Sequence, residues 1–309
     1  MQKVAVFYNQ HASGSNRSIW IEQVKEILFR SDLTFYPILG PVQMKADVDE
    51  LIESRIHIVV CIGGDGSVNL MIQYLVHTDI SLLVIPAGTA NDLARELGVV
   101  RRITDSIAAV RLNNFKQIDL LEVDGRYFAT NGGFGVGGSV THLINDLRKK
   151  IHQFKYVLRI LKHRVYTAAL LYQSLFSSLT FHHVKIESDK YSGEIRTAFT
   201  LITNQSKIAG DVELSQGAAN NDGIFTVFCL AHDNKMDLIK GFYLVLSGGA
   251  VESDKNIILF ETDQVTVETL DGTTMRFFGD GEVFGEYQKF TVKLHHKSLN
   301  VYIVDEEVA

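Results

Sequence analysis

Cysteine is nearly absent from this sequence of 309 residues, which contains Cys61 and Cys229 and no other. Each cysteine lies in an apolar run, and neither has a second cysteine or a suitably spaced histidine beside it. This pattern argues against a disulfide framework and against a Cys/His metal site. We therefore expect two core thiols in a protein that works in a reducing compartment.

The sequence also lacks an excess of positive charge and any apolar run long enough to cross a bilayer. Its formal net charge is -6 at pH 7, which argues against broad nucleic-acid binding by the whole chain. The longest apolar stretches, such as 168–179 and 241–246, are too short or too interrupted to span a membrane. Residues 1–9 enter a strand pattern without the features of a signal peptide. We expect a soluble cytoplasmic protein, with peripheral membrane association left open.

A phosphate-loop lysine motif is missing, but a different glycine-rich pattern is present. Gly63-Gly64-Asp65-Gly66-Ser67 follows the apolar run Ile58–Ile62, and Pro86-Ala87-Gly88-Thr89-Ala90-Asn91-Asp92 follows a second apolar run. Glycines at the end of a buried strand let the backbone approach a polyphosphate without an intervening Cβ. Asp65 would repel that polyphosphate unless a cation lay between them, so the pattern predicts a nucleotide loaded with magnesium. Asp92 is either a helix cap or a ligand on the phosphate side.

The first third of the sequence alternates strand-like and helix-like periodicities. Strands are predicted at Val4–Tyr8, Leu33–Ile38, His57–Ile62 and Ser81–Ile85, with helical patterns at Ser18–Phe29, Val48–Ile52 and Val68–Leu75 between them. This alternation predicts an α/β domain with a parallel sheet and helices on both faces. Asn9, Gly63 and Pro86 each come just after a strand, so we expect their loops at the carboxyl edge of the sheet, where ligands bind.

After Val123 the pattern changes to hairpins, beginning with the tight-turn pair Asp124-Gly125. One predicted hairpin joins 179–187 to 195–203, and another joins 264–270 to 275–278 through Asp271-Gly272. We therefore predict a nucleotide-binding domain over residues 1–123 and a β-rich domain over residues 124–309. The return of the last segment to the first domain is left open.

Residues 133–138 match a dinucleotide-binding fingerprint by their letters, with glycine at four of the six positions. That fingerprint requires an acidic residue about 20 positions further on, and the sequence there is basic. Close packing or a hinge is the favoured interpretation of these glycines.

A basic amphipathic stretch lies between Val140 and Tyr172. Its apolar residues recur with a spacing of three and four, and a parallel row of basic residues includes Arg148, Lys155, Arg159 and Lys162. One interpretation is a helix that packs its apolar stripe on the β-rich domain and leaves its charges in solvent. The other is contact between the basic row and anionic lipid headgroups.

The motifs together resemble the diacylglycerol kinase catalytic-domain family, which includes bacterial diacylglycerol kinases and is related to sphingosine and ceramide kinases. The resemblance spans essentially the whole chain, with the motifs in the same order. It is carried by Asn9 with Ser13-Gly14, GGDGSVN at Gly63–Asn69, PAGTANDLAREL at Pro86–Leu97, Asp119 in QIDL, and Gly279-Asp280-Gly281-Glu282.

The resemblance implies a kinase that binds ATP on an N-terminal domain like those of phosphofructokinase and NAD kinase, followed by a β-sandwich. By this resemblance the nucleotide is held by Asn9, Ser13, Gly63, Gly64, Asp65, Gly66, Ser67, Asn69, Gly88, Thr89 and Asn91. The carboxylates implied around Mg²⁺ are those of Asp65, Asp92, Asp119 and Asp280. Glu282 matches the family's general base, and Asp280 and Asp65 join it in the implied catalytic set.

The sequence departs from the family pattern in two places. Gly217 stands where many bacterial members have the aspartate of a structural Mg²⁺ site, so we do not expect that metal here. A threonine that often follows the second strand in the adenine pocket has no counterpart in Ile38-Leu39-Gly40-Pro41. The adenine contacts are therefore not specified by the sequence.

These observations lead to the hypothesis of an ATP-dependent lipid kinase that phosphorylates a hydroxyl of a membrane lipid, with diacylglycerol or a similar glycerolipid as the leading acceptor. Two alternatives stay open: a soluble kinase like NAD kinase, and a nucleotide-responsive membrane adaptor without turnover. Apolar pockets discriminate lipids by shape, which residue spacing does not reveal, so the acceptor is not fixed. Homodimer formation is also left open.

Overall fold

The computed structural model describes residues 2–10, 17–88, 91–99, 103–136, 179–205, 207–208, 212–213, 219–246 and 254–304. The chain divides into two compact units, which consist of Met1–Leu120 with His296–Ala309 and of Leu121–His295. The predicted domain boundary lay between Val123 and Asp124. None of the helices in the described part of the chain combines the length and the apolar character needed to span a membrane.

The first unit is built on a parallel sheet, as the alternating pattern predicted. Its strands are β1 (Lys3–Tyr8), β2 (Asp32–Pro37), β3 (Ile58–Gly63) and β4 (Ser81–Pro86), in the spatial order β2-β1-β3-β4. Its helices are α1 (Arg17–Ile27), α2 (Pro41–Glu53), α3 (Asp65–Leu75), α4 (Asp92–Glu96) and α5 (Ile103–Leu112). The helix α2 begins well before the predicted helical pattern, because Pro41 occupies its first turn.

Helices on both faces bury the strands of this sheet. Val4, Val6 and Val60 belong to a core cluster that also contains residues of α1 and α5. The alternate residues on the other face, including Phe7 and Val59, are fully buried as well. The strands are therefore apolar on both sides, which is why they read as continuous runs of Val and Ile in the sequence.

The second unit contains antiparallel sheets and confirms the predicted β-sandwich. Its elements are β6 (Arg126–Phe128), β7 (Asn131–Gly135), β8 (His182–Glu187), β9 (Ser192–Thr197), β10 (Phe199–Thr203), β11 (Lys207–Ile208), β12 (Val212–Glu213), β13 (Phe225–Leu230), α6 (Lys235–Leu246), β14 (Ile257–Thr262), β15 (Gln264–Thr269), β16 (Met275–Gly279) and β17 (Glu282–Tyr287). One sheet has the order β14-β13-β10-β7-β16-β17. Its core residues pack with those of β8 and β15 in a single cluster.

Two strands run through both units. These are β5 (Phe115–Val123) and β18 (Lys289–Tyr302), which pair with each other. The first part of β18 pairs with β15, and its end pairs with β4 in the parallel direction. The unit boundaries fall inside these strands, at Leu120–Leu121 and His295–His296.

The predicted hairpin between β15 and β16 is wrong. These strands do not pair with each other: β15 pairs with β8 and β18, whereas β16 pairs with β7 and β17. The connecting turn bonds to β8 instead, because the Asp271 carboxylate accepts the His183 N–H at 2.9 Å. The Thr273 hydroxyl donates to the same carboxylate. The hydrogen bonds from His183 and Thr273 stabilise the charged form and lower the pKa of Asp271 to about 2.

The other predicted hairpin is correct in its first part only. The strands β8 and β9 pair as expected, but the predicted strand over 195–203 is broken at Ala198. Its second half, β10, belongs to the six-stranded sheet. One continuous apolar pattern thus supplies strands to two different sheets.

Two glycines of the fingerprint-like segment, Gly133 and Gly135, serve close packing in β7. A Cβ on Gly133, whose φ is +144°, would lie 2.1 Å from the Thr200 carbonyl oxygen. A Cβ on Gly135, whose φ is +85°, would lie 2.1 Å from the Ala198 carbonyl oxygen. The neighbouring strand β10 approaches too closely for any side chain at these positions.

Candidate active site

Three loops of the first unit meet at the carboxyl edge of its parallel sheet. Tyr8 is in register with Ile62, and Gly63 is in register with Pro86, so the chain leaves β1, β3 and β4 at the same level. The Asn9 side chain links the first two loops, because its Nδ2 donates to the Ser67 Oγ at 3.0 Å. The predicted convergence of these loops is therefore present.

Glycines allow the second and third loops to touch. A Cβ on Gly88 would lie 2.6 Å from the Gly64 Cα, and a Cβ on Gly64 would lie 3.0 Å from the Gly88 Cα. A Cβ on Gly63 would lie 2.4 Å from the Ser67 Cβ. Any side chain at Gly88 would therefore separate the two loops. Packing between the loops thus requires glycine at these positions, in addition to any requirement for access by a phosphate.

The Asp65 carboxylate fastens the third loop to the second. Its Oδ2 accepts the Asn91 N–H at 2.9 Å, and its Oδ1 accepts the Asp92 N–H at 2.8 Å. It thus supplies acceptors at the start of α4, where backbone N–H groups have no partner within the helix. The sequence analysis assigned Asp65 to metal binding and catalysis. It did not predict these contacts with Asn91 and Asp92, which are 26 and 27 positions further along the chain.

Asn91 bonds back to Gly88, the residue on the other side of the third loop. Its φ of 52° and ψ of 51° are left-handed, a conformation that asparagine tolerates better than most residues. Its side chain bonds to both polar groups of Gly88, because Oδ1 accepts the N–H at 2.9 Å and Nδ2 donates to the carbonyl at 3.1 Å. These two bonds fix Gly88 and Asn91 relative to each other.

The start of α3 offers the chemistry that a phosphate requires. This helix begins at Asp65 after Gly64, and no side chain caps its N-terminus. The first N–H groups of a helix lack intrahelical acceptors and carry the positive end of its dipole, so they attract anions. Because Gly63, Gly64 and Gly88 keep side chains out of this region, a polyphosphate fits the residues present. Asn69, on the same helix, is buried.

Asp119 is not brought to Asp65 and Asp92. Its carboxylate is fully buried, and its Oδ1 accepts the Lys297 N–H at 2.6 Å and lies 2.9 Å from the His296 Nδ1. Lys297 precedes Asn300, which is in register with Ser81 at the amino end of β4. Asp65 lies beyond the carboxyl end of that strand, so the two carboxylates lie towards opposite ends of β4.

Asp280 and Glu282 lie together in the second unit, in and just after the turn that joins β16 to β17. Glu282 is the first residue of β17 and is exposed. Asp280 is half-buried, and its carboxylate accepts hydrogen bonds from the Ala129 and Thr130 N–H groups at 2.9 and 2.8 Å. The Asp280 carboxylate is thus held by backbone groups of residues 129 and 130 in the same unit.

In the described ranges, no group of three or more His, Cys, Asp or Glu side chains has the arrangement of a metal site. Mg²⁺ bound with a nucleotide requires only one or two protein carboxylates, because phosphates and water complete its coordination. Asp65 and Asp92 are adjacent at the carboxyl edge of the parallel sheet and fit that requirement, although Asp92 also pairs with Arg95. Asp119 does not fit it.

Several predicted residues lie outside the described part of the chain. They are Ser13 and Thr89 of the nucleotide set, the Gly217 loop, and the basic row Arg148, Lys155, Arg159 and Lys162. Sequence reasoning also gave no role in the site to Thr130, Arg126 and His296. Their partners are Asp280, Phe284 and Asp119, in that order. These partners are at least 150 positions away along the chain, and no local pattern marks them.

Comparison with known proteins assigns both units to one class of enzyme. Residues 3–123 match the model of the diacylglycerol kinase catalytic domain, and residues 132–303, more than half of the chain, match that of the YegS C-terminal NAD kinase beta sandwich-like domain. The chain therefore has the domains of a kinase that acts on lipids. It belongs to the diacylglycerol kinase family of lipid kinases, as the motifs indicated.

Individual relatives agree with this assignment. The chain is 28% identical over 249 residues to the diacylglycerol kinase of Bacillus subtilis (strain 168), covering 77% of this chain and 76% of the relative. It is 27% identical over 265 residues to a YegS-like lipid kinase of Alcanivorax borkumensis, covering 83% and 82%. A crystal structure of a diacylglycerol kinase from Bacillus anthracis str. Sterne has a TM-score of 0.72 at 17% identity, covering 100% of this chain and 98% of that one. That likeness establishes the fold.

Proposed function

We propose that this protein transfers the γ-phosphoryl group of ATP to a hydroxyl of a membrane lipid, with diacylglycerol or a similar glycerolipid as the acceptor. The observation that carries the proposal is the carboxyl edge of the parallel sheet in the first unit, where Asn9 contacts Ser67 and where Asp65 and Gly64 contact the loop after β4. It occurs in a chain that matches both domains of the lipid kinase family.

In this proposal the nucleotide phosphates bind at the start of α3. The backbone N–H groups there would donate hydrogen bonds to phosphate oxygens, and the glycines leave room for the phosphates to approach the backbone closely. Asp65 and Asp92 would hold Mg²⁺, which neutralises charge on the phosphates and leaves the γ-phosphorus open to attack. Asp65 also keeps the two loops together, so its carboxylate has a structural role whether or not a nucleotide is bound.

Glu282 is the proposed general base. A lipid hydroxyl that attacks phosphorus must lose its proton, and a carboxylate within hydrogen-bond reach can accept it. Glu282 is exposed and is the first residue of β17, so solvent reaches its side chain. Asp280 is proposed to support Glu282, because the Ala129 and Thr130 N–H groups hold its carboxylate next to the start of β17.

A labelled-ATP assay tests the acceptor. Purified protein is incubated with radiolabelled ATP, Mg²⁺ and mixed micelles that contain diacylglycerol, phosphatidylglycerol, a sphingoid base or an isoprenoid alcohol, with NAD as a soluble acceptor in a separate reaction. We expect label in the diacylglycerol product. Label in NAD alone would favour the soluble NAD kinase-like alternative, and nucleotide binding without any labelled product would favour the adaptor.

The basic row predicts how the enzyme reaches its acceptor. Replacing Lys155, Arg159 and Lys162 together with glutamate is expected to weaken binding to vesicles that contain anionic lipid, because each basic residue near such a surface contributes about 1 kcal/mol. The binding of the unaltered protein should also weaken as salt is raised. Vesicle co-sedimentation measures both effects, with Lys235, Lys240 and Lys255 replaced by glutamate as the control. Binding that ignores both salt and the triple replacement would contradict a membrane role for this row.

A further inference from the structure

The backbone of Glu282 is fixed by a tight turn. Asp280 and Gly281 form the two-residue connection between β16 and β17, with φ values of 48° and 81°. Positive φ at both positions is typical of the type I′ turn, which closes hairpins of this length. Gly279 and Glu282 are paired in register on either side of it. The direction of the Glu282 side chain therefore depends on how this turn is held.

Thr130 and its neighbours hold the turn from one side. The Thr130 hydroxyl donates to the Asp280 Oδ1 at 2.6 Å, in addition to the Thr130 N–H at 2.8 Å and the Ala129 N–H to Oδ2 at 2.9 Å. The Asp280 N–H in turn donates to the Asn131 carbonyl at 2.8 Å. Thr130 is only 3% exposed, so this contact is shielded from water. Four hydrogen bonds thus tie one turn residue to the segment 129–131.

Arg126 holds the same hairpin just after Glu282. One nitrogen of its guanidinium donates to the Val283 and Phe284 carbonyls at 2.9 and 3.1 Å. The guanidinium also stacks over the Phe284 ring at 4.1 Å. Among the described strands, β17 is at the edge of its sheet, and Arg126 supplies a donor to two of its carbonyls directly after Glu282.

We propose that Thr130, through the Asp280 carboxylate, and Arg126, through the β17 backbone, are positioning residues for Glu282. The inference rests on the proposed function, in which Glu282 accepts the proton of the lipid hydroxyl. Neither residue contacts substrate in this proposal. A general base acts only when it is held within hydrogen-bond reach of the proton it removes, so loosening either contact lowers the rate of phosphoryl transfer. Affinity for ATP is unaffected.

The Thr130 hydroxyl is tested by a pair of variants. Thr130→Val keeps the shape of the side chain and removes the hydroxyl, whereas Thr130→Ser keeps the hydroxyl. We expect Thr130→Val to lower kcat for lipid phosphorylation by about tenfold with the KM for ATP unchanged, and Thr130→Ser to restore most of the rate. Arg276→Met is the matched control, since it removes an exposed ion pair with Glu286 from the same hairpin, away from the turn. It should leave kcat unchanged.

A double-mutant cycle separates this inference from the proposed function. If Thr130 acts through Glu282, Thr130→Val should have no further effect on kcat in the Glu282→Gln background. An equal loss in both backgrounds would overturn the inference. So would a normal kcat for Thr130→Val in a protein that Glu282→Gln inactivates. A normal rate for Glu282→Gln would instead overturn the assignment of Glu282 as the base.

Arg126 gives a second test that does not depend on the folding of the Thr130 variant. Arg126→Met retains an unbranched side chain for packing on Phe284 and loses both hydrogen bonds to β17. We expect a lower kcat at an unchanged KM for ATP, and again no further loss in the Glu282→Gln background. A fall in ATP affinity with unchanged kcat would contradict a positioning role.

Discussion

Replacing Glu282 with glutamine is expected to lower kcat for lipid phosphorylation by about 10²–10⁴-fold, the usual contribution of a general base. Glutamine has nearly the same shape as glutamate but cannot accept the proton of the attacking hydroxyl. The KM for ATP should stay within about twofold, because Glu282 is not among the residues proposed to bind the nucleotide. Steady-state kinetics with diacylglycerol in mixed micelles measures both constants.

The matched control for this prediction is Glu286→Gln. Glu286 lies on the same strand as Glu282 and pairs with Arg276 at the surface, at 2.7 Å. An exposed ion pair contributes about 1 kcal/mol or less, so this control should fold and react normally. Equal activity of the Glu282→Gln protein and the control would show that the proton goes to another group.

Replacing Asp65 with asparagine is expected to destabilise the first unit as well as to stop catalysis. Each carboxylate oxygen of Asp65 accepts one backbone N–H, so the amide group of asparagine would face one of these donors with its own N–H. Leaving a buried or half-buried donor unsatisfied costs about 1–3 kcal/mol. Trp20, the only tryptophan in the sequence, lies in α1 of the first unit, and its fluorescence during urea unfolding reports on that unit.

Asp92→Asn serves as the comparison for Asp65→Asn. The Asp92 side chain pairs with Arg95 at the surface of a short helix, and such pairs contribute little to stability. We therefore expect Asp92→Asn to lower activity, through the proposed Mg²⁺ site, without a measurable change in the urea midpoint. If both variants shift the midpoint equally, or neither does, the distinct loop-joining role of Asp65 is contradicted.

The parts of the fold that the sequence predicted are those with local signals. The strand predicted at His57–Ile62 is apolar at nearly every position and is followed by glycines, and it is present as β3 (Ile58–Gly63), which lies between β1 and β4. The convergence of Asn9 with the Gly63–Ser67 loop followed from a general property of parallel sheets and needed no knowledge of this chain. The general base candidate followed from the resemblance to the lipid kinase family.

The parts that could not be predicted depend on contacts between distant segments. Asp119 has the residue type of a metal ligand, yet it is buried beside His296 and Lys297, which are 177 and 178 positions away. Asp271-Gly272 has the letters of a hairpin turn, but the strands on either side of it enter different sheets. Turn propensity acts over a few residues, whereas the choice of partner strand is decided by packing across the whole unit.

The positions of the two cysteines determine how the folded protein reacts with alkylating reagents. Cys61 lies in the first unit and Cys229 in the second, and both are completely buried. Burial raises the pKa of each thiol to about 12, so in the folded state both remain protonated and out of reach of alkylating reagents. Covalent modification at neutral pH thus requires local opening of the chain, and the position of the modified peptide tells which unit has opened.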